Sequence, residues 1–87
     1  MLIAKVIGNI VATKKEEALT GMKLLIVEAV EGTDLGKRWV AVDLVGAGSG
    51  EYVLITHGSA ARIKTKAADA PVDSVIVGII DEYEERV

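Results

Sequence analysis

Residues 23–44 have the sequence KLLIVEAVEGTDLGKRWVAVDL, and this stretch decides the fold. Aliphatic and β-branched residues dominate 23–30 and 38–44, and such side chains suit strands because they pack well on a pleated surface. Between the two runs lies Glu31 to Lys37, a polar segment with two glycines that are able to take a positive φ. The stretch therefore predicts two strands joined by a turn.

Three further strands are predicted on either side of this stretch. Met1 to Thr13, Tyr52 to Thr56 and Ser74 to Ile80 are rich in the same residue types. Gly58 to Ile63 predicts one helical turn. Short strands at this spacing, joined by turns, indicate a barrel or a sandwich. We expect a single all-β domain that spans residues 1–87.

The predicted strands are apolar on both of their faces. Successive side chains point to opposite faces of a strand, yet Leu24 and Ile26 stand opposite Leu25 and Val27. A strand with one side in water alternates cleanly between apolar and polar residues. Because 87 residues have too little mass to cover both faces, we interpret this pattern as contact with further copies of the chain. The alternative is ordinary surface hydrophobes, which are common.

The overall composition argues against several classes of protein. The chain is 51% hydrophobic, has a net charge of -3 and contains no cysteine. Without cysteine there is no disulfide and no thiol chemistry, and a domain of this size without disulfides fits a cytosolic setting. Nucleic-acid binding needs a basic surface, often with several aromatic side chains, whereas this acidic chain has one Trp and two Tyr. No apolar run is long enough to span a bilayer.

A glycine-rich loop, Val45 to Glu51, invites comparison with phosphate-binding loops. The dinucleotide fingerprint G-x-G-x-x-G needs a glycine where Glu51 stands and a long helix after it. A P-loop needs Lys followed by Ser or Thr after its last glycine, and that pair is missing too. We therefore interpret Gly46, Gly48 and Gly50 as a tight turn or bulge that allows two backbones to approach closely.

The sequence predicts no constellation of catalytic or metal-binding residues. His57 is the only histidine, and no metal-ligand spacing surrounds it. Ser59 is close to it in sequence but lacks a nucleophile-elbow pattern. Asp43 and Asp73 either pair with Arg62 or cap a turn. We expect no catalytic residue, no metal and no cofactor.

Specific sequence motifs lie in order along nearly the whole chain. They are Ala4-x-Val6-x-Gly8, Thr13 with Lys14, Leu19-x-Gly21-x-Lys23-Leu24-Leu25, Val40-Ala41-Val42-Asp43, Val45-Gly46-Ala47-Gly48-x-Gly50-Glu51, Gly58-Ser59-x-Ala61-Arg62, and Pro71-Val72-Asp73 running into Ile79-Ile80-Asp81. With them the sequence resembles the bacterial microcompartment vertex proteins, the family of the ethanolamine-utilisation N protein and the carboxysome vertex protein.

The resemblance implies a small five-stranded barrel, closed or partly open, related to the oligonucleotide/oligosaccharide-binding fold and carrying one short helical turn. It also implies a structural shell protein rather than an enzyme. Copies would form a cyclic pentamer, with a hexamer as the alternative, at the vertices of a carboxysome or metabolosome shell in the cytoplasm. The partners would be hexameric shell proteins, without nucleic acid or membrane. The competing function is a barrel-shaped binding module for nucleic acid or another small ligand.

Individual positions are hypothesised to form the subunit boundary or the central opening. We expect the glycine-rich loop to pack near the ring axis or at a subunit contact. We expect Glu51 and Arg62 to pair across the boundary, because a charge-assisted hydrogen bond fixes orientation. The turn that starts at Gly58 would line the narrow opening at the centre of the ring. The candidate residues are Gly46, Gly48, Gly50, Glu51, Gly58, Ser59, Ala60, Ala61 and Arg62.

Overall fold

The fold is a closed five-stranded barrel. The computed structural model describes residues 1–12, 15, 17–58 and 72–83. The strands are β1 (Leu2–Ile10), β2 (Lys23–Ala29), β3 (Arg38–Asp43), β4 (Tyr52–His57) and β5 (Ser74–Ile80). They follow the order β1-β2-β3-β5-β4, and β4 pairs with β1 to close the sheet. The expected all-β barrel is confirmed, in its closed form.

The strand boundaries agree with the sequence prediction to within one residue except at the first hairpin. β1 ends at Ile10 rather than at Thr13, and the sequence analysis did not predict the 3-10 turn at Glu17–Leu19. The helical turn predicted for Gly58 to Ile63 lies, after Gly58, outside the described residues. In the described part of the chain, no helix has the length and apolar character needed to cross a membrane.

Two irregularities bend the sheet into its barrel. The register of β1 against β2 shifts between Val6 and Gly8, and the register of β4 against β5 shifts between Leu54 and Ile55. A bulge of this kind bends its strand and increases the local twist. β1 needs the bend because it pairs with β2 on one side and with β4 on the other.

The interior of the barrel is filled by aliphatic side chains, as expected for a barrel of this size. On β4, Val53 and Ile55 are both 0% exposed, and Val27 of β2 is 0% exposed as well. The interior cluster consists of Ala4, Val6, Leu25, Val27, Ala41, Ala47, Val53, Ile55 and Ile76.

A second, smaller apolar cluster lies on the outside of the barrel. Val42, Val72 and Val75 are buried there, with Leu19 and Met22 among the partly buried residues packed against them. Leu19 and Met22 come from the segment around the 3-10 turn, so the chain covers part of its own outer surface. Leu19 and Met22 pack over the β3–β5 junction, and cover of the other outer positions by further copies stays a prediction.

Candidate subunit interface

The carboxylate of Asp43 holds the glycine-rich loop between β3 and β4 by hydrogen bonds to the loop backbone. The Asp43 side chain is 1% exposed. Its Oδ1 accepts a hydrogen bond from the backbone N–H of Val45 at 3.1 Å, and its Oδ2 accepts one from Ala47 at 2.9 Å. A short acidic side chain at a strand end commonly bonds the backbone that follows it. Of the two roles expected for Asp43, the structure therefore shows the turn cap.

Lys23, at the start of β2, holds the same loop from the other side. Its Nζ donates to the carbonyl oxygen of Ala47 at 2.9 Å and lies 3.6 Å from Oδ2 of Asp43. The sequence analysis gave Lys23 no such role, because Lys23 and Asp43 meet only through the β2–β3 pairing. A positive charge beside a buried carboxylate offsets the cost of removing that carboxylate from water.

Two of the three loop glycines are required by the backbone itself. Gly46 has φ 82° and Gly50 has φ 88°, in the left-handed region that side chains disfavour. The backbone N–H of Gly48 donates to Oε1 of Glu51 at 2.7 Å. The interpretation of the loop as a tight turn is confirmed. Its position near a ring axis or a subunit contact stays a prediction.

The loop also lies directly against β1. The N–H of Gly50 donates to the carbonyl of Val6 at 2.8 Å, and the N–H of Val6 donates to the carbonyl of Glu51 at 2.9 Å. These two bonds extend the β1–β4 pairing beyond Tyr52. The close approach of backbones expected of the glycines is therefore to β1 of the same chain.

The remaining candidate residues follow β4. Gly58 has φ 68°, and its N–H donates to the carbonyl of Asp73 at 2.9 Å. Ser59, Ala60, Ala61 and Arg62 lie outside the described residues. The pairing of Glu51 with Arg62 and the lining of a central opening therefore stay predictions.

Trp39 forms an aromatic and polar cluster that the sequence analysis did not identify. Its Nε1–H donates to Oγ of Ser74 at 2.7 Å, and its ring centroid lies 5.8 Å from that of His57. The bond joins β3 to β5 next to the point where their parallel pairing begins, at Val42 and Val75. Trp39 packs against the interior cluster, so its role is to hold the barrel together.

One apolar surface, the β4 face, lies on the outside of β1, β4 and β5. Direct pairing places its residues on the same side of the sheet, opposite the buried interior positions. Tyr52 is 39% exposed, with Nζ of Lys5 5.8 Å from its ring centroid and the Tyr83 ring centroid at 6.3 Å. The β4 face consists of Ile3, Tyr52, Leu54, Gly78 and Ile80.

A second apolar surface, the β3 face, lies on the outside of β2 and β3. Leu24 pairs with Val42, and Ile26 pairs with Val40, which is 43% exposed. Between this face and the β3–β5 junction is a groove of about 160 Å³. The β3 face consists of Leu24, Ile26 and Val40. The groove beside it includes Val42, which this chain itself buries, together with Leu19 and Val72.

Comparisons with known proteins give a consistent family. The family described as ethanolamine utilisation protein EutN/carboxysome matches residues 1–81. A carboxysome shell vertex protein CcmL from Synechocystis sp. is 48% identical over 83 residues, which cover 93% of this chain and 83% of that protein.

Solved structures agree with the sequence comparison. A pentameric microcompartment shell protein, GrpN from Rhodospirillum rubrum, superposes with a TM-score of 0.84 at 39% identity, and the match covers 100% of both chains. A pentameric shell protein from the RMM microcompartment gives a TM-score of 0.85 at 39% identity and covers 100% of this chain and 98% of that one. The chain belongs to the EutN/CcmL family, to which the sequence motifs had assigned it.

Proposed function

We propose that this chain is a vertex subunit of a bacterial microcompartment shell and that five copies close into a ring. The observation that carries the proposal is the full-length similarity to shell proteins that are themselves described as vertex proteins and as pentamers. The apolar outer faces of the barrel support it, because a lone copy leaves Val40 and Tyr52 in contact with water.

The physical role of such a ring is geometric. A flat layer of six-fold units cannot close on itself, and five-fold units introduce the curvature that completes a polyhedron. Cyclic symmetry makes every contact in the ring head-to-tail, so that the assembly closes after a set number of rotations. The partners in this role are the hexameric proteins that tile the shell facets, inside the cytoplasm, without nucleic acid or membrane.

The proposed role is structural rather than catalytic, and it uses the whole of residues 1–87 as a single vertex domain. Three polar side chains hold the described loop in place: Asp43 caps it, Lys23 bridges to it and Glu51 accepts a hydrogen bond from Gly48. The vertex relatives support the same role, since their descriptions name a place in a shell.

Native mass measurement of the purified chain tests the ring directly. We expect one dominant species that contains five copies of the 9.2 kDa chain. A chain that stays single at high concentration would contradict the proposal.

The shell role has its own test, in cells that produce the hexameric shell proteins without a vertex protein. Adding this chain should convert open or elongated assemblies into closed polyhedra, scored by electron microscopy. The matched control is a ring-deficient variant of the same chain, which should leave the assemblies open.

The expected pair between Glu51 and Arg62 is tested at the subunit boundary. Because Oε1 of Glu51 also accepts from Gly48, Glu51→Gln keeps an acceptor for the loop while it removes the charge. Both Glu51→Gln and Arg62→Ala should weaken ring assembly about tenfold if the charge pair joins two copies. Unchanged assembly of Arg62→Ala in native mass measurement would refute the pair.

A further inference from the structure

The two apolar outer faces lie on different strands of the barrel. The β4 face is on β1, β4 and β5, whereas the β3 face is on β2 and β3. We infer that they are the two halves of one contact: the β4 face of one copy packs against the β3 face of the next copy. This inference rests on the proposed function, since it takes the ring of five as its starting point.

Symmetry explains why two unlike faces are needed. In a cyclic ring of five, each subunit uses one surface toward the copy before it and a different surface toward the copy after it. A surface that pairs with itself would produce dimers instead. Among the strand residues that the structure describes, the β4 face and the β3 face lie on separate strands, so each can serve a different neighbour in the ring.

The two faces differ in shape and chemistry. The β3 face has a groove of about 160 Å³ beside Val40, roughly ten times the ~10–15 Å³ that one water molecule needs. The groove therefore has room for part of a side chain. The β4 face offers Tyr52, an exposed aromatic of the kind that anchors protein interfaces.

The charges beside the two faces already have partners within the subunit. Nε of Arg38 lies 3.0 Å from Oε1 of Glu28 at the edge of the β3 face. Lys5 lies over the ring of Tyr52 at the edge of the β4 face. Packing the apolar centres together would therefore leave these charges at a polar rim, where interfaces commonly place them.

Two blocking variants test the pairing of the faces. Val40→Asp places a carboxylate on the β3 face, and Tyr52→Asp places one on the β4 face. Both positions are more than a third exposed in the single chain, so the fold should tolerate the change. Each variant alone should lose the ring and migrate as a single chain, with assembly weakened at least a hundredfold.

An equimolar mixture of the two variants is the decisive experiment. In it, only one kind of contact joins two native faces: the β4 face of the Val40→Asp chain with the β3 face of the Tyr52→Asp chain. Growth must stop after that contact, so native mass measurement should find a heterodimer with one copy of each variant. Absence of the heterodimer, or a ring formed by either variant alone, would overturn the inference.

A cysteine pair gives a second measurement if either Asp variant fails to fold by circular dichroism. The natural chain has no cysteine, so Val40→Cys with Tyr52→Cys introduces the only thiols. A short bifunctional thiol reagent should link the double variant into covalent species of up to five chains. Each single variant should give no species beyond two chains. A double variant that links no further than the single variants would contradict the inference.

A matched control separates the inference from the proposed function. Leu35 is 66% exposed and lies in the β2–β3 turn, outside both faces, so Leu35→Asp should keep the ring. Loss of the ring in Leu35→Asp would contradict the assignment to the two faces. A natural chain that forms no ring refutes the proposed function, whereas a natural ring that survives Val40→Asp refutes only this inference.

Discussion

Tyr52 and Val53 are consecutive residues of β4, and their side chains have different surroundings. Val53 is 0% exposed inside the barrel, where side chains of its own chain surround it. Tyr52 is 39% exposed on the outer side, next to Lys5 and Tyr83. The same strand therefore stabilises the fold with one set of residues and leaves the alternate set exposed, where we propose that a second copy packs. Folding and assembly should be separable by substitutions one position apart.

The glycine-rich loop belongs with the inner positions in this comparison. Its capping carboxylate, Asp43, is nearly inaccessible and fully engaged by Val45, Ala47 and Lys23. Among the described residues, every buried side-chain nitrogen or oxygen has a hydrogen-bond partner. The buried polar groups that hold the loop therefore find their hydrogen-bond partners in the same chain, whereas the outer faces stay exposed in a single copy.

The largest expected effect comes from the inside of β4. Ile55→Ala removes a fully buried side chain from the interior cluster and should lower the free energy of unfolding by about 2–5 kcal/mol. The matched control is Leu54→Ala on the outer side, with an expected loss below about 1 kcal/mol in the single chain. Urea unfolding followed by circular dichroism, at concentrations that dissociate the ring, measures both. Equal losses would contradict the distinction between the two sides.

Removing the loop's capping carboxylate should have the next largest effect. Asp43→Ala leaves the N–H groups of Val45 and Ala47 without their acceptor in a nearly inaccessible site, at a cost of about 2–3 kcal/mol. Asp43→Asn retains one carbonyl acceptor and should lose about half as much. Thermal and urea unfolding compare the three proteins. If the two variants were equally stable, the hydrogen bonds would not be what holds the loop.

A smaller effect is expected from the loop backbone. Gly50→Ala forces a Cβ into the left-handed region at φ 88° and should cost about 1 kcal/mol. Gly48→Ala is the control, since its φ is not positive and its Cβ would meet only the Glu51 carboxylate, at 3.4 Å. Its loss should stay below about 0.5 kcal/mol. If urea unfolding instead showed the larger loss for Gly48→Ala, steric space rather than backbone conformation would be the reason for glycine in this loop.

The smallest expected effect is at the solvent-exposed ion pair in the β2–β3 turn. Oδ1 of Asp34 lies 3.1 Å from Nζ of Lys37, with both side chains at least half exposed. Because water and salt screen such a pair, Asp34→Asn should change the free energy of unfolding by less than about 0.5 kcal/mol. Unfolding at low and high salt measures the pair's contribution. A loss above 1 kcal/mol would indicate a structural role for this turn that solvent exposure does not suggest.

Local patterns predicted the strands well and the connections between them poorly. A run rich in Val and Ile placed β5 at its observed limits, Ser74–Ile80. The 3-10 turn Glu17–Leu19 was not expected, because a charged segment carries no strong signal for it. The barrel itself came from the family resemblance, since the residues alone left a sandwich open.

The candidate site was predictable only where it depends on neighbours in sequence. The Gly46–Gly50 turn follows from glycines that permit positive φ. The contacts of Lys23 with Asp43 and of Trp39 with Ser74 join residues that are distant in sequence. Nothing in the local pattern pairs such residues, because their approach depends on strand order and register.

The amino-acid sequence alone established that both sides of several strands are apolar, since alternation assigns Leu24 and Leu25 to opposite faces whatever the strand's partners are. It did not establish which side turns inward. The tertiary structure decided that Leu25 lies inside and Leu24 outside, because closing the sheet against β4 and bending it at two bulges gives the sheet one concave face. Small residues such as Ala4, Ala29 and Ala41 are buried on that inner face together with larger Val, Leu and Ile side chains, as the filled interior of a small barrel requires.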